Sequence, residues 1–287
     1  MHRRYSCFSC DEENCLISYI KKFLKHIIYT NVVVAFSTGV LCAGYSYSIG
    51  TPKWPLYGMF AFLSTMAVYN GQRLFKSNQK KKTPWLQWVK RNEKYLFLLV
   101  VLFSLAAFLI LILIQNLEVS SMFVLAGSGV ISLFYVIKIA GRNMREIPYV
   151  KIHLISISWV MILIVFPAIN EGIDNSLIWI AIAHYCYVLG VTIPFDIRDL
   201  KYDLSTQKTI PQVLGVSNAR VLALFLIVAF AVIMLYVNHG LWWNGLFYLG
   251  VLTQIFLVLF MNEDRSDIYC AGWIDGAITL LGLSYFY

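Results

Sequence analysis

Charge is scarce in this sequence. Of its 287 residues, 13% are Asp, Glu, Lys or Arg, against about 25% in an ordinary soluble domain. So few charges cannot cover a globular surface in water, which excludes a soluble fold. The sequence also lacks the short alternating apolar and polar segments of a membrane barrel. Its apolar residues, 59% of the total, gather instead in unbroken runs such as 95–114 and 221–237. Lipid offers the backbone no hydrogen-bonding partner, so runs of roughly 20 apolar residues fold as helices. A cleavable leader pattern is missing too: Asp11, Glu12 and Glu13 follow the basic opening before any apolar stretch. There is no sign of a linker or a second domain. The fold class expected is all-α and polytopic.

Nine spans are predicted, at 26–47, 55–70, 95–114, 120–139, 152–169, 177–195, 219–237, 241–261 and 268–287. They form one domain over residues 26–287, after a polar, basic lead-in at 1–25 that is interfacial or disordered. The net charge of +8 reflects Lys and Arg in alternate loops, so it points to membrane topology and not to nucleic acid. Arg73, Lys76, Lys80–Lys82, Lys90, Arg91 and Lys94 follow the second span, Arg142 and Arg145 the fourth, and Arg198, Lys201 and Lys208 the sixth. The intervening loops carry little more than Lys53, Glu118, Glu171, Asp174 and His239. The positive-inside rule puts the N-terminus and the basic loops in the cytoplasm. The expected location is a bacterial inner membrane.

Of the six cysteines, Cys7 and Cys10 form a lone C-x-x-C. Zinc would need Cys15 and His2 as further ligands; free thiols in a disordered tail are the simpler reading. His153 and His184 lie within apolar spans and suit neutral histidines bonded to a neighbouring helix. Asn170, Glu171 and Asp174 read as solvated residues of an outer loop. Asp275 is a lone acid in the last span, where an ionisable group is functional by default.

The stretch richest in chemistry is VTIPFDIRDLKYDLSTQKTIPQVLG, residues 191–215. Asp196, Asp199 and Asp203 are spaced by three and four residues, which aligns their carboxylates on one helix face. Such acids repel one another unless cations sit among them. One resolution is pairing with neighbouring Arg and Lys at a solvated helix end. The other is Mg²⁺ shared with a diphosphate, since Mg²⁺ takes one or two carboxylates plus water and phosphate oxygens. Arg198, Lys201 and Lys208 are close enough in sequence to bind the remaining phosphate oxygens.

DIRDLKYD followed by QKTIPQVLG resembles the second aspartate-rich motif of the UbiA-type intramembrane prenyltransferases. Asp199 and Asp203 match its D-x-x-x-D, Asp196 the preceding Asn/Asp, and Lys208–Pro211 with Leu214–Gly215 its continuation. The resemblance implies a nine-helix bundle whose central cavity opens to the cytoplasm. It further implies a prenyl diphosphate substrate, a lipophilic or aromatic acceptor, and Mg²⁺ held by Asp199 and Asp203 with help from Asp196. The family's first motif, N-D-x-x-x-D-x-x-x-D, falls on YNGQRLFKSN. Asn70 keeps the leading position, but Gly71, Leu74 and Asn78 stand where acids are expected. Arg73 and Lys76 then either bind phosphate directly or serve only as positive-inside residues. Tyr135 and Lys138 resemble the segment after the family's fourth helix. There Lys138 reads as a diphosphate ligand or, with Arg142, Arg145 and Lys151, as a headgroup anchor. The expected diphosphate ligands are therefore Asn70, Arg73, Lys138, Arg198 and Lys208. Loss of the first motif also leaves room for a non-catalytic or divergent lipid-binding protein or transporter of the same fold.

Overall fold

The computed structural model describes residues 12–77, 83–135, 137–139, 142–143, 147, 149–172, 176–203 and 207–287. Cys7, Cys10, Asn78, Lys80–Lys82, Arg145 and Asp174 lie outside the described residues. So do the side chains of Cys15, Lys138 and Arg142.

The chain runs back and forth between two ends. After α1 (Glu12–Tyr29) come α2 (Val32–Ser48) and α3 (Trp54–Lys76), then the short α4 (Pro84–Arg91), α5 (Glu93–Ile114) and α6 (Val119–Phe134). Helices α7 (Val150–Val160) and α8 (Phe166–Asn170) join through a π-turn. They are followed by α9 (Leu177–Asp199), α10 (Ile210–Val237), α11 (Gly245–Leu259) and, after a second π-turn, α12 (Asp275–Ser284). Local signals set several boundaries. The Thr83 hydroxyl accepts from Leu86 N at 3.2 Å and Pro84 opens α4, an N-cap with proline in the first turn. Gln212 reaches back to Thr209 N at 3.0 Å to start α10. That helix kinks at Gly215, whose φ of 77° suits glycine alone.

The apolar runs predicted as spans fall on helical segments, though 26–47 is divided between α1 and α2 at Asn31 and 241–261 opens in a 3-10 turn at His239–Trp243 before α11; two further departures matter more. The run 120–139 stops being helical at Phe134. Lys138–Ile139 instead pairs with Arg142–Asn143 in a two-residue antiparallel ribbon, where β-branched Ile139 suits extended backbone. The count of nine spans is also not carried by helix length. Four segments are long and apolar enough to cross a bilayer unaided: Glu93–Ile114, Val150–Asn170, Leu177–Asp199 and Ile210–Val237. The pair Lys22–Tyr29 and Val32–Ser48, bent by 54°, would make a fifth. Helices α6 and α11 are shorter apolar helices, and α3 ends on Arg73 and Lys76.

The molecule is an integral membrane protein turned apolar side outward. Helix α5 exposes Phe97, Leu102, Phe108 and Ile112, a surface that only lipid covers without cost. Inside, small residues bring helices together, as in other membrane bundles. A Cβ on Gly44 would lie 2.1 Å from Gly282 O, and one on Gly282 would lie 2.7 Å from Leu41 N, so α2 and α12 touch backbone to backbone. At the end remote from the basic loops, Asn170 is buried and not solvated. Its Oδ1 accepts from Glu118 N at 3.1 Å and from Ser121 Oγ at 3.0 Å, while its Nδ2 donates to Tyr57 Oη at 2.8 Å. Tyr57 Oη in turn donates to Glu171 at 2.7 Å. The loop reading of Asn170 and Glu171 is thereby corrected: a buried amide that meets three partners ties α3, α6 and α8 together.

Candidate functional site

Helices α2, α3, α6, α7 and α9 surround a cavity of about 1290 Å³. Its depth is lined by apolar groups such as Val34, Phe60, Leu125, Ile155, Leu163 and Val188. Its other end is charged and reaches the surface at Lys201 and Asp264, an exposed pair 2.7 Å apart. Asp264 holds the Lys201 ammonium above its ordinary pKa, and Lys201 holds the Asp264 carboxyl below its own. Salt screens such an exposed pair, so it adds little stability.

Asp196, Asp199 and Asp203 all line this charged end. Helix α9 extends to Asp199, and Asp203 N donates to Asp199 O at 2.9 Å, so the helical spacing persists one turn further. Each acid meets a protein cation. Lys151 Nζ lies 2.6 Å from Asp196 Oδ1 and 3.3 Å from Asp203 Oδ2. Arg198 Nε lies 2.8 Å from Asp199 Oδ1, and its Nη1 lies 3.2 Å from Asp267 Oδ1. Two carboxylates thus share one ammonium, and two share one guanidinium.

Of the expected diphosphate ligands, Arg73 and Arg198 line the cavity. Asn70 does not. It is fully buried, accepts from Asn31 Nδ2 at 3.0 Å, and donates to Thr30 O at 2.9 Å and Met66 O at 2.8 Å. Its amide is spent on joining α3 to the α1–α2 junction. Lys208 is exposed and is not among the cavity residues; its φ of 46° marks a turn before α10. Of Lys138 only the backbone is described.

Sequence reasoning missed Lys151 as the partner of the acids, because a Lys at a span end also reads as an anchor. It missed Trp85 and Asp267 as well. The Arg73 guanidinium lies over the Trp85 ring, 3.9 Å from its centroid. Trp85 stacks on Tyr29 at 5.1 Å with 9° between the planes, and Tyr29 Oη donates to Asp267 Oδ2 at 3.0 Å. The signal available was W-x-x-W, residues 85–88, inside a basic loop. His184 bonds Tyr285 Oη at 2.9 Å and Ile180 O at 2.8 Å, and His153 bonds Tyr185, the structural roles expected of histidines in apolar spans. Asp275 is buried and lines the cavity.

The residues present can accommodate a divalent cation on the α9 wall. Asp199 and Asp203 each offer a second carboxylate oxygen that no described residue engages. No group of three or more His, Cys, Asp or Glu gathers as a cage among the described residues. A divalent cation there would rest on these two carboxylates alone and take the rest of its shell from water and ligand oxygens. The α3 wall presents Gln72, Arg73 and Lys76 and offers no carboxylate.

No family model matches the sequence, and no curated protein does. A solved structure does match in fold. It is a UbiA homologue from Archaeoglobus fulgidus bound to GPP and Mg²⁺, with a TM-score of 0.61 at 13% identity. The match covers 90% of this chain and 99% of that one. The chain has a UbiA-like fold.

Proposed function

We propose that this chain is a UbiA-like membrane prenyltransferase, taking a prenyl diphosphate and a lipophilic or aromatic acceptor. The observation that carries the reading is the two-part cavity, apolar in depth and ringed with paired charges at one end. A prenyl diphosphate has the same division, a long hydrocarbon tail ending in concentrated negative charge. The Archaeoglobus protein of this fold was solved with GPP and Mg²⁺.

In this reading the tail lies along Phe60, Leu125, Ile155 and Val188, which exclude water. Arg73, Lys76 and Arg198 hold phosphate oxygens. Asp199 and Asp203 would hold Mg²⁺, which supplies further charge neutralisation on the diphosphate when bound. The bond between the allylic carbon and the bridging oxygen breaks, and its electron pair leaves with the diphosphate. The carbon then bonds to a nucleophilic atom of the acceptor, which gives up a proton. The cations fixed at the mouth stabilise the charge that develops on the leaving group. Nine crossings, a cytoplasmic N-terminus and a cytoplasmic cavity mouth complete the proposal. The basic residues Lys76, Lys151 and Lys201 all lie at the cavity's charged end, as the positive-inside rule requires of a cytoplasmic face.

The carboxylate-free α3 wall favours a second reading, in which the protein binds the diphosphate lipid without transferring it. Two measurements on the purified full chain separate the two: affinity for geranyl diphosphate in Mg²⁺, and pyrophosphate release on adding candidate aromatic acceptors. Binding with release supports the transferase. Binding with no release for any acceptor supports the second reading, and no binding overturns both.

A further inference from the structure

The two walls of the charged end differ in sign. On the α9 side, Lys151 faces two carboxylates and Arg198 faces two, so each cluster carries one surplus negative charge. That wall lacks a cation. On the α3 side, Arg73 forms no hydrogen bond and no close ion pair with any described residue; Asp199 and Asp267 attract it only across the mouth. Its guanidinium carbon lies over the Trp85 ring, 3.9 Å from the centroid, and Trp85 is fixed by stacking on Tyr29 and by its indole N–H donating to Tyr29 O at 3.0 Å. A guanidinium held by one face keeps its in-plane N–H donors at the rim, in a fork that matches phosphate oxygens. Lys76 lines the same wall, its ammonium 4.7 Å from the centre of the Tyr135 ring.

We infer that the α3 wall is a metal-free phosphate-binding half-site centred on Arg73 and backed by Trp85. The site as a whole then takes one divalent cation, on the α9 wall, and keeps part of its affinity for a diphosphate when metal is stripped. The inference rests on the cavity being a diphosphate site and specifies how that site is divided between protein cations and metal. It also gives Trp85 a purpose. The ring removes rotational freedom from a long side chain, so less is lost when phosphate binds.

The test uses the full chain in lipid nanodiscs and titrates inorganic pyrophosphate by calorimetry, in EDTA and in excess Mg²⁺. Wild type, Arg73→Gln, Arg73→Lys and Lys90→Ala are compared at one salt concentration; Lys90 lies on α4, paired with Glu93 and outside the cavity. Expected in EDTA is measurable binding by wild type and Lys90→Ala. Arg73→Gln should bind on the order of tenfold or more weakly, and Arg73→Lys should fall between, because it keeps the charge without the planar fork. In Mg²⁺ all four should bind, and Mn²⁺ titrated in its place should show one spin-active ion per chain with pyrophosphate present. Arg73→Lys guards against a folding defect in Arg73→Gln. Equal metal-free affinity in wild type and both Arg73 variants overturns the inference, as does a count of two ions or no binding in EDTA. Geranyl diphosphate run in parallel separates the two readings. Arg73-dependent pyrophosphate binding without geranyl diphosphate binding leaves the half-site standing and removes the prenyl substrate.

Discussion

At the scale of the residue, the arrangement around Lys151 decides how the acids behave. Asp196 is 1% exposed and Lys151 12% exposed, so their pairing is a buried one, costly to break from either side. Asp203→Asn leaves Lys151 with Asp196 and removes only surplus negative charge. The protein should fold normally and lose Mg²⁺-dependent affinity for a prenyl diphosphate, and Asp199→Asn should lose it too. Lys151→Met, by contrast, leaves two carboxylates facing each other without their cation and should destabilise the fold by about 3 kcal/mol or more. Thermal unfolding of the three variants in one detergent checks the order. A Lys151→Met protein as stable as Asp203→Asn would show that the ammonium does not hold the acids in place. The three acids Asp196, Asp199 and Asp203 were legible in the sequence because their spacing of three and four is a local property. The cation among them was not, since Lys151 lies 45 residues before Asp196 and only the packing of α7 on α9 brings the two together. Asn70 failed in the opposite way. Its position in a motif said nothing of the Asn31 and Thr30 groups that consume its amide.

At the scale of the element, unbroken apolar runs located the helices, because lipid leaves the backbone few alternatives. It could not place their contacts. Where α2 meets α12, the deciding feature is the absence of side chains at Gly44 and Gly282, and glycine in a span carries no directional signal until its neighbour is known. Gly282→Ala would put a methyl 2.7 Å from Leu41 N and 2.8 Å from Leu41 Cα. Both are backbone atoms that no rotamer change can move aside. The helices must separate, at a cost of about 1–3 kcal/mol. Gly245→Ala is the control, for nothing lies within 4 Å of its added Cβ. Melting temperatures should fall for Gly282→Ala and stay near wild type for Gly245→Ala. An unchanged temperature for both would mean that the α2–α12 contact is slack. The π-turns joining α7 to α8 and leading into α12 were illegible for a related reason. One extra residue per turn leaves the apolar run intact and changes only which side chains face the cavity, Asp275 among them.

At the scale of the whole molecule, the charged cavity mouth and the Asn170 network lie at opposite ends, and the direction in which this axis crosses the membrane determines where substrate enters. Lys76, Lys151 and Lys201 surround the mouth, whereas the far end carries Lys53 paired with Glu171 at 3.6 Å and the exposed Trp243. Ammonium groups are retained on the cytoplasmic side during insertion, while Trp and Tyr settle at either interface. The mouth should therefore face the cytoplasm, where a water-soluble diphosphate headgroup and Mg²⁺ are supplied. Cysteine labelling measures this directly. Cys7, Cys10 and Cys15 are first changed to Ser, because their position in the lead-in would report the N-terminal side, and the half-buried Cys186 is changed with them; Cys42 and Cys270 are buried and can remain. Single cysteines are then introduced as Trp243→Cys, Lys53→Cys, Lys201→Cys and Lys81→Cys. A membrane-impermeant maleimide added outside intact cells should modify the first two and spare the others until the membrane is opened. Labelling of Lys201→Cys and Lys81→Cys from outside, with Trp243→Cys protected, would invert the molecule and put the cavity mouth on the outer face. Labelling of Lys81→Cys and Trp243→Cys from the same side would mean that the number of crossings between them is even, which would remove the odd crossing count between those loops on which the nine-span arrangement depends.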